Sequence, residues 1–171
     1  MKNIILVGMP GSGKSTLGIL LAKKLLYGYI DSDSVIVATK GKLLPELIEE
    51  MGNDEFLELE AQVNSSLTVK RCVIATGGSA IYRGDAIEKM KANDGIVVYL
   101  KIPYEEVERR LGDLKKRGVV LKEGYTLRDL YEERAPLYEK YADYIVELSA
   151  DSVEAGAEKI RQTIQHEIGD E

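Results

Sequence analysis

The feature that most restricts this chain lies near its start, where residues 8–15 read Gly-Met-Pro-Gly-Ser-Gly-Lys-Ser. These residues, called the phosphate loop below, match G-x-x-x-x-G-K-[ST] at every fixed position. A short apolar run at residues 4–7 precedes the loop, and a segment with helically spaced leucines follows it. In this strand–loop–helix context, such a loop surrounds phosphate groups with backbone N–H groups at a helix start. The sequence therefore predicts an α/β fold that binds a nucleoside triphosphate.

Each residue type in the phosphate loop has a physical role. Glycine lets the backbone approach the phosphates closely, Lys14 can reach the β- and γ-phosphates, and the Ser15 hydroxyl can bind Mg²⁺. A glycine-rich turn without a ligand is the alternative, and the complete pattern in its required context disfavours it. The predicted nucleotide-binding residues are Gly8, Gly11, Ser12, Gly13, Lys14, Ser15 and Thr16.

The rest of the chain alternates short apolar runs with longer helical patterns. Strands are predicted at residues 4–7, 29–30, 73–75, 96–100 and 144–148. Helices are predicted at residues 15–26, 34–39, 44–51, 53–67, 85–92, 104–111, 126–141 and 152–168. Such strands between helices indicate a parallel sheet covered on both faces, in one three-layer α/β/α domain over residues 1–171. Ligands in this class bind at the carboxyl ends of the strands.

Length and charge restrict the class of protein further. The 171 residues fit one domain, and the net charge of −6 argues against broad binding to nucleic acid. Cys72 is the only cysteine, so no internal disulfide can form, and we expect it in the core. No stretch is long and apolar enough for a bilayer, and the first apolar run is too short for a signal peptide. We therefore expect no membrane association and a cytoplasmic location.

Two carboxylates follow the second predicted strand, at Asp31 and Asp33. Mg²⁺ prefers oxygen ligands, and we assign Asp31 to the metal, through water. A second carboxylate nearby can bind a substrate hydroxyl and accept its proton, and we assign this role to Asp33. The alternative is structural, because Asp33 would also be a good N-cap for the helix predicted at residues 34–39.

With these motifs placed, the chain resembles the shikimate kinase family over nearly its whole length. The resemblance is carried, in order, by the phosphate loop, Asp31-x-Asp33, residues 53–56, Thr76-Gly77-Gly78, a loop with Arg117, and residues 134–138. The last segment, Arg-Ala-Pro-Leu-Tyr followed by Tyr-Ala-Asp at residues 141–143, is the most specific to the family, whereas the phosphate loop is generic.

The resemblance implies a fold and an activity. The fold is a five-stranded parallel sheet of nucleoside-monophosphate-kinase type, with a substrate-binding helical segment at about residues 33–67 and a lid at about residues 112–124. The activity is transfer of a phosphoryl group from ATP, with Mg²⁺, to a hydroxyl of a small molecule, with shikimate as the default. The resemblance also suggests a monomer.

The resemblance further implies that Asp33, Gly77, Gly78 and Arg134 hold the substrate, that Arg117 approaches the transferred phosphate, and that Arg110 lies against adenine. The residue types agree with these roles, since glycines allow a close approach to the backbone and the planar fork of arginine suits a carboxylate. Structural alternatives are a plain turn at Gly77-Gly78, a solvated charge run at residues 115–117, and a surface ion pair of Arg134 with Glu132 or Glu133.

The sequence departs from the family pattern at three positions, namely Leu57, Ser79 and Gly118. The family has an arginine that binds the substrate carboxylate at the position of Leu57. It has a third glycine at the position of Ser79, and a proline after the lid arginine at the position of Gly118. With Leu57 in place of the arginine, one charge-assisted contact to the substrate carboxylate is lost, which should cost roughly 2–4 kcal/mol of the free energy of substrate binding. Because Leu57 and Ser79 occupy positions where the family contacts the substrate, both are included among the predicted substrate contacts. Candidates to compensate are Arg83, Lys40 and Lys42.

Two alternative functions stay open on the sequence. The first is the same phosphotransfer to a different small polyol or hydroxy acid, which Leu57 motivates because an apolar side chain suits a less anionic ligand. The second is a nucleotide-binding protein without transfer activity. Damage to Lys14, Asp33 or Arg117 would indicate the second alternative, and all three predicted catalytic residues are intact.

Overall fold

The computed structural model describes residues 1–112 and 117–169. Five parallel strands form one sheet in the order β2-β3-β1-β4-β5. The strands are β1 Asn3–Val7, β2 Gly28–Asp31, β3 Cys72–Ala75, β4 Gly95–Lys101 and β5 Tyr144–Glu147. The predicted five-stranded parallel sheet is therefore confirmed. Lys115 and Lys116 of the predicted lid lie outside the described residues.

The helices lie between the strands in the order that the sequence predicts. They are α1 Lys14–Leu25, α2 Ser32–Lys40, α3 Leu44–Met51, α4 Asn53–Ser66, α5 Gly84–Ala92, α6 Tyr104–Arg110, α7 Leu127–Tyr141, α8 Val153–Thr163 and α9 Gln165–Ile168. A 3₁₀ turn at Gly78–Tyr82 follows β3, where the sequence predicts only a loop. The predicted closing helix at residues 152–168 is in fact two helices, because the backbone of Ile164 turns out of the helical path (φ −102°, ψ 11°).

The centre of the sheet forms the core. Strand β1 pairs on one side with β3, Ile4 opposite Val73, and on the other side with β4, Ile4 opposite Ile96. Every residue of β1 and β3 is buried, including Cys72, as expected. Successive side chains of a strand point to opposite faces, so complete burial means that both faces of the sheet are covered. This confirms the α/β class and brings the carboxyl ends of the strands to one edge.

A smaller apolar cluster lies apart from this core. Its buried members are Ile36, Leu47, Phe56, Leu57, Leu59 and Val120, which come from α2, α3, α4 and the lid. The cluster packs the helical segment at residues 33–67 against the part of the lid that the structure describes. It therefore supports one side of the functional site, independently of the sheet.

Helix α2 begins at the end of β2, because Asp31 caps it. The Asp31 carboxylate accepts hydrogen bonds from the N–H groups of Asp33 (3.1 Å) and Ser34 (3.3 Å). The alternative in which Asp33 is the N-cap is therefore wrong. Asp33 lies in the first helical turn, and its side chain is not needed for capping.

No helix among residues 1–112 and 117–169 is long and apolar enough to cross a membrane.

Candidate active site

A cavity of about 380 Å³ opens at the carboxyl edge of the sheet, where the loops after β1, β2 and β3 meet α4, α7 and the lid. Its lining includes most of the predicted site: Gly11, Gly13, Lys14, Ser15, Thr16, Asp31, Asp33, Gly77, Gly78, Ser79, Arg117 and Arg134. These residues come from segments far apart in sequence. The fold therefore brings the predicted nucleotide, substrate and lid residues to one place, which we call the central cavity.

Lys14 lies at the start of α1 and is buried, with 8% of its surface exposed. Its ammonium group donates hydrogen bonds to the carbonyl oxygens of Gly8 (2.7 Å) and Met9 (2.8 Å). Burial lowers the pKa of Lys14 to about 8, and the nearby Asp33 carboxylate opposes this shift. A triphosphate in the loop would add negative charge beside the ammonium group and so favour its charged form.

Ser15 and Asp31 provide oxygen atoms at the mouth of the phosphate loop. The Ser15 hydroxyl donates to Asp31 Oδ2 over 2.8 Å. This donor set suits Mg²⁺, a hard cation that binds few protein oxygens and keeps several waters. Within the described part of the chain, no group of three or more His, Cys, Asp or Glu side chains could hold a metal by itself. A cation here would therefore take its other ligands from phosphate oxygens and water.

Asp33 faces the backbone of Gly77 across the central cavity. A methyl group on Gly77 would lie 2.7 Å from Asp33 Oδ1, so only glycine allows this approach. Desolvation raises the pKa of Asp33 to about 6, and the neighbouring Asp31 carboxylate adds to the shift while Lys14 opposes it. A carboxylate with such a pKa is mostly ionised at neutral pH and can still accept a proton, as a general base must.

Arg134 lies inside the protein, with 1% of its surface exposed. Its Nε donates to the Tyr82 hydroxyl (3.2 Å), its Nη2 donates to the Val120 carbonyl (2.8 Å), and the guanidinium carbon lies 5.1 Å from the Tyr82 ring centre. The third nitrogen, Nη1, faces Gly78, where an added methyl group would lie 3.0 Å from it. Arg134 is thus fixed with one nitrogen toward the central cavity.

The alternative of a surface ion pair for Arg134 is wrong. Glu133 pairs with Lys122 at 2.7 Å, and Glu132 lies 4.0 Å from Arg128. An almost completely buried arginine bonded to uncharged oxygens keeps its charge available for an anion in the cavity.

Arg117 and Arg110 meet where the lid leaves α6. Arg117 lines the central cavity, and its Nη2 donates to the Arg110 carbonyl (3.2 Å). The Arg110 side chain donates to the Gly11 carbonyl (3.1 Å) and pairs with Glu106 (2.8 Å). A second cavity of about 220 Å³ lies beside it, lined by Ser12, Gly13, Thr16, Arg110, Ser149 and Asp151 among others. This second cavity adjoins the phosphate loop.

The lid contacts the helical segment opposite the phosphate loop. Gly118 has φ +68°, and a methyl group on it would lie 2.7 Å from Leu44 Cβ. Asn53 donates to the Leu121 carbonyl (3.1 Å), and Val120 is buried. The proline of the family pattern has φ near −65° and could not adopt this backbone. Gly118 therefore allows this lid conformation and its close contact with α3.

Leu57 is not placed in the central cavity. It packs in the smaller apolar cluster with 7% of its surface exposed and faces a neighbouring cavity of about 520 Å³ that Tyr82 and Arg83 also line. The residues proposed to compensate also lie outside the central cavity. Arg83 lies 3.8 Å from Glu58, and Lys42 pairs with Glu50 at 2.7 Å, while Lys40 is exposed at the end of α2.

Sequence reasoning missed Glu60 and Tyr82. Glu60 lines the central cavity with 2% of its surface exposed, and Glu60 Oε1 accepts a hydrogen bond from the Ser79 hydroxyl (2.8 Å). Desolvation, and next the charge of Asp33, raise the pKa of Glu60 to about 8. One signal was available, because Glu60 follows the apolar Phe56 by four residues and so shares its helix face. No comparable signal marks Tyr82.

The phosphate loop after β1, the acidic pair after β2 and the arginines that face them define a P-loop kinase of the α/β class. The family model described as shikimate kinase matches residues 10–165. A shikimate kinase from Alteromonas mediterranea is 39% identical, covering 93% of this chain and 94% of the relative. The chain belongs to the shikimate kinase family, whose members are phosphotransferases acting on a hydroxyl group.

Solved structures agree with this assignment. A shikimate kinase from Acinetobacter baumannii, in complex with shikimate, is 38% identical with a TM-score of 0.87, over 96% of this chain and 93% of that one. Shikimate kinase from Aquifex aeolicus is 32% identical with a TM-score of 0.82, over 95% of each chain. The similarity therefore covers nearly the whole length of the chain.

Proposed function

We propose that this chain transfers the γ-phosphoryl group of ATP to a hydroxyl of shikimate, which we call the acceptor. One observation carries the proposal: Lys14, Asp33, Arg117 and Arg134 line a single cavity, although they come from four separate segments. The family assignment and the shikimate complex of the Acinetobacter baumannii relative support this choice of acceptor.

Asp33 would orient the acceptor hydroxyl and accept its proton. The hydroxyl oxygen then attacks the γ-phosphorus, the bond from that phosphorus to the β–γ bridging oxygen breaks, and ADP leaves. The raised pKa of Asp33 favours proton transfer to it as the hydroxyl becomes bonded to phosphorus. The Gly77 backbone, which approaches Asp33 closely, limits where the acceptor can lie.

Lys14 and Arg117 would stabilise the negative charge of the transferred phosphoryl group. Both line the cavity, Lys14 from the phosphate loop and Arg117 from the lid. Such charges are more effective in a site closed to water, and closure also excludes water as a competing acceptor. Ser15 and Asp31 would hold Mg²⁺, which would supply positive charge at the β- and γ-phosphates. Arg110, in the cavity beside the phosphate loop, would contact the adenine base.

Arg134 would bind the carboxylate of shikimate. Its Nη1 faces Gly78, while Tyr82 and the Val120 carbonyl fix the other two nitrogens. A fixed guanidinium loses little side-chain entropy when it binds a carboxylate. In keeping with the family resemblance, we also propose that the protein acts as a monomer.

A second candidate is the same transfer to a less anionic hydroxyl compound. It is favoured by Leu57, which leaves Arg134 as the arginine on the acceptor side of the central cavity in the described part of the chain. An acceptor without a carboxylate would need hydrogen bonds from the cavity more than it would need positive charge.

The test is an ADP-release assay with ATP and Mg²⁺, with shikimate beside a panel of small polyols and hydroxy acids, and product identification by mass spectrometry. We expect saturable ADP release with shikimate and a product heavier by one phosphoryl group. The Asp33→Asn variant, which keeps the shape of the side chain without the base, should lose most of this turnover. Turnover with another compound and not with shikimate would support the second candidate. Tight ATP binding without turnover of any compound would indicate a non-catalytic protein.

A further inference from the structure

Glu60 presents one free oxygen to the central cavity. Its Oε1 accepts the hydrogen bond from Ser79, which fixes the carboxyl group on the inner face of α4. Its Oε2 has no hydrogen-bond partner among residues 1–112 and 117–169, and Glu60 lines the cavity. Oε2 is not fully enclosed by protein atoms, so a ligand or water in the cavity can form a hydrogen bond with it. Glu60 is therefore placed to meet whatever occupies the acceptor side.

The surroundings of Glu60 disfavour its negative charge. A methyl group on Gly77 would collide with Glu60 Oε2 and would lie 2.7 Å from Asp33 Oδ1, so the two carboxyl oxygens lie near each other on the same side of Gly77. Two buried carboxylates this close do not both ionise readily. Arg134, the nearby arginine, gives Nε and Nη2 to the uncharged oxygens of Tyr82 and Val120. Among the residues that the structure describes, Glu60 thus has no ion pair of the kind that usually accompanies a buried carboxylate.

We propose that Glu60 is a specificity-determining residue that meets the acceptor as a neutral carboxylic acid and donates its proton in a hydrogen bond to it. This inference rests on the proposed function. A neutral Glu60 leaves the positive charge of Arg134 available for an acid group of the acceptor, whereas an ionised Glu60 would compete with that group. Binding of an anionic acceptor is therefore linked to the presence of the Glu60 proton.

The groups that face Glu60 come from several elements. Asp33 of α2 opposes its ionisation, while Lys14 of α1, Arg134 of α7 and the Ser79 hydroxyl of the 3₁₀ turn favour it. Tyr138 of α7 also interacts with it, and burial raises the pKa of Tyr138 to about 12. Helices α3 and α5 also pack along α4 and contribute none of these groups. Between neutral and mildly basic pH, only Glu60 and Lys14 in this set change charge.

The test compares the protein with Glu60→Gln, which keeps the shape and a hydrogen-bond donor without the titration. With ATP and Mg²⁺ saturating, so that Lys14 is paired with phosphate, the KM for shikimate should rise about tenfold from about pH 7 to about pH 9 in the unaltered protein. In Glu60→Gln it should stay nearly constant. Because Lys14 is common to both proteins, the difference between the two profiles isolates Glu60.

A second measurement needs no variant. Shikimate binding at about pH 8.5 is followed by calorimetry in two buffers of different ionisation enthalpy, and we expect uptake of a fraction of a proton per acceptor bound. Equal heats in the two buffers, together with the same KM profile in both proteins, would overturn the role of Glu60 and leave the proposed function standing. Lack of turnover with shikimate would overturn the proposed function itself, and with it the role assigned to Glu60.

The protein without ligand provides a third readout. The pKa of Glu60 is higher in the folded state than in the unfolded state, so the folded protein binds more protons between those two values. Its stability should therefore fall as the pH rises through that window. The unfolding temperature of the unaltered protein should fall relative to that of Glu60→Gln from about pH 5 to about pH 8. Parallel curves would contradict a neutral Glu60.

Discussion

The two sides of the central cavity are built in different ways. Most of the nucleotide side is one continuous segment, the phosphate loop and the start of α1, and the Ser15 hydroxyl in it is bonded to Asp31. The acceptor side is assembled from α2, α4, the 3₁₀ turn, the lid and α7, and its charged residues Glu60 and Arg134 are almost completely buried. The residues of the phosphate loop are close together in sequence, whereas the acceptor side depends on the packing of five elements. Single substitutions on the acceptor side should therefore change specificity for the acceptor without altering the phosphate loop.

The largest effect should come from the nucleotide side. Lys14→Ala removes the ammonium group that would contact the β- and γ-phosphates, and turnover should fall by at least about a hundredfold. Circular dichroism should show an intact fold. Lys23→Ala, an exposed lysine of the same helix, is the matched control and should keep full activity. Full activity in Lys14→Ala would contradict the phosphoryl-transfer scheme.

The corresponding change on the acceptor side is Arg134→Lys. Lysine keeps the charge and loses the planar fork that Tyr82 and Val120 fix, so the KM for shikimate should rise about ten- to a hundredfold while the KM for ATP changes little. Arg128→Lys, an exposed arginine of the same helix, serves as control. A shikimate KM unchanged from that of the unaltered protein would show that Arg134 does not bind the acceptor.

A smaller effect should come from the lid. Gly118→Ala places a side chain at φ +68° and against Leu44, so closure should weaken and kcat should fall several-fold. Gly124→Ala is the control, because it introduces similar backbone strain without a new side-chain contact. Gly124 has φ +79° and no neighbour within 4 Å of an added methyl group. If both variants lose the same activity, the contact with Leu44 plays no part in closure.

The smallest effect on acceptor binding is expected from Leu57→Arg. Leu57 faces the neighbouring cavity, which Asp54 and Glu133 line, and an arginine there can extend its charged end toward these acids. The affinity for shikimate should stay within about twofold of the Leu57→Met control, and the unfolding temperature should fall because an apolar contact is lost. A clear gain in shikimate affinity would show that residue 57 faces the acceptor.

The difference between the two sides also explains what the sequence could predict. The phosphate loop, the five strands and the acidic pair after β2 follow from local patterns, and all were predicted. The structural alternative of a cap at Asp33 was wrong, because Asp31 and Asp33 are equally good capping residues by type and only the end of β2 decides between them. The burial of Arg134, the position of Leu57 and the contact of Glu60 with Ser79 depend on how α4, α7 and the lid pack together. No local pattern contains that information.

Activity with shikimate and with its methyl ester provides the most direct comparison, since the ester keeps every hydroxyl and lacks the negative charge. If Arg134 binds the carboxylate beside a neutral Glu60, kcat/KM should be at least about tenfold lower for the ester, and Arg134→Lys should remove most of this difference. Equal kcat/KM values for the two compounds would contradict an anion site on the acceptor side and would favour a less anionic natural acceptor.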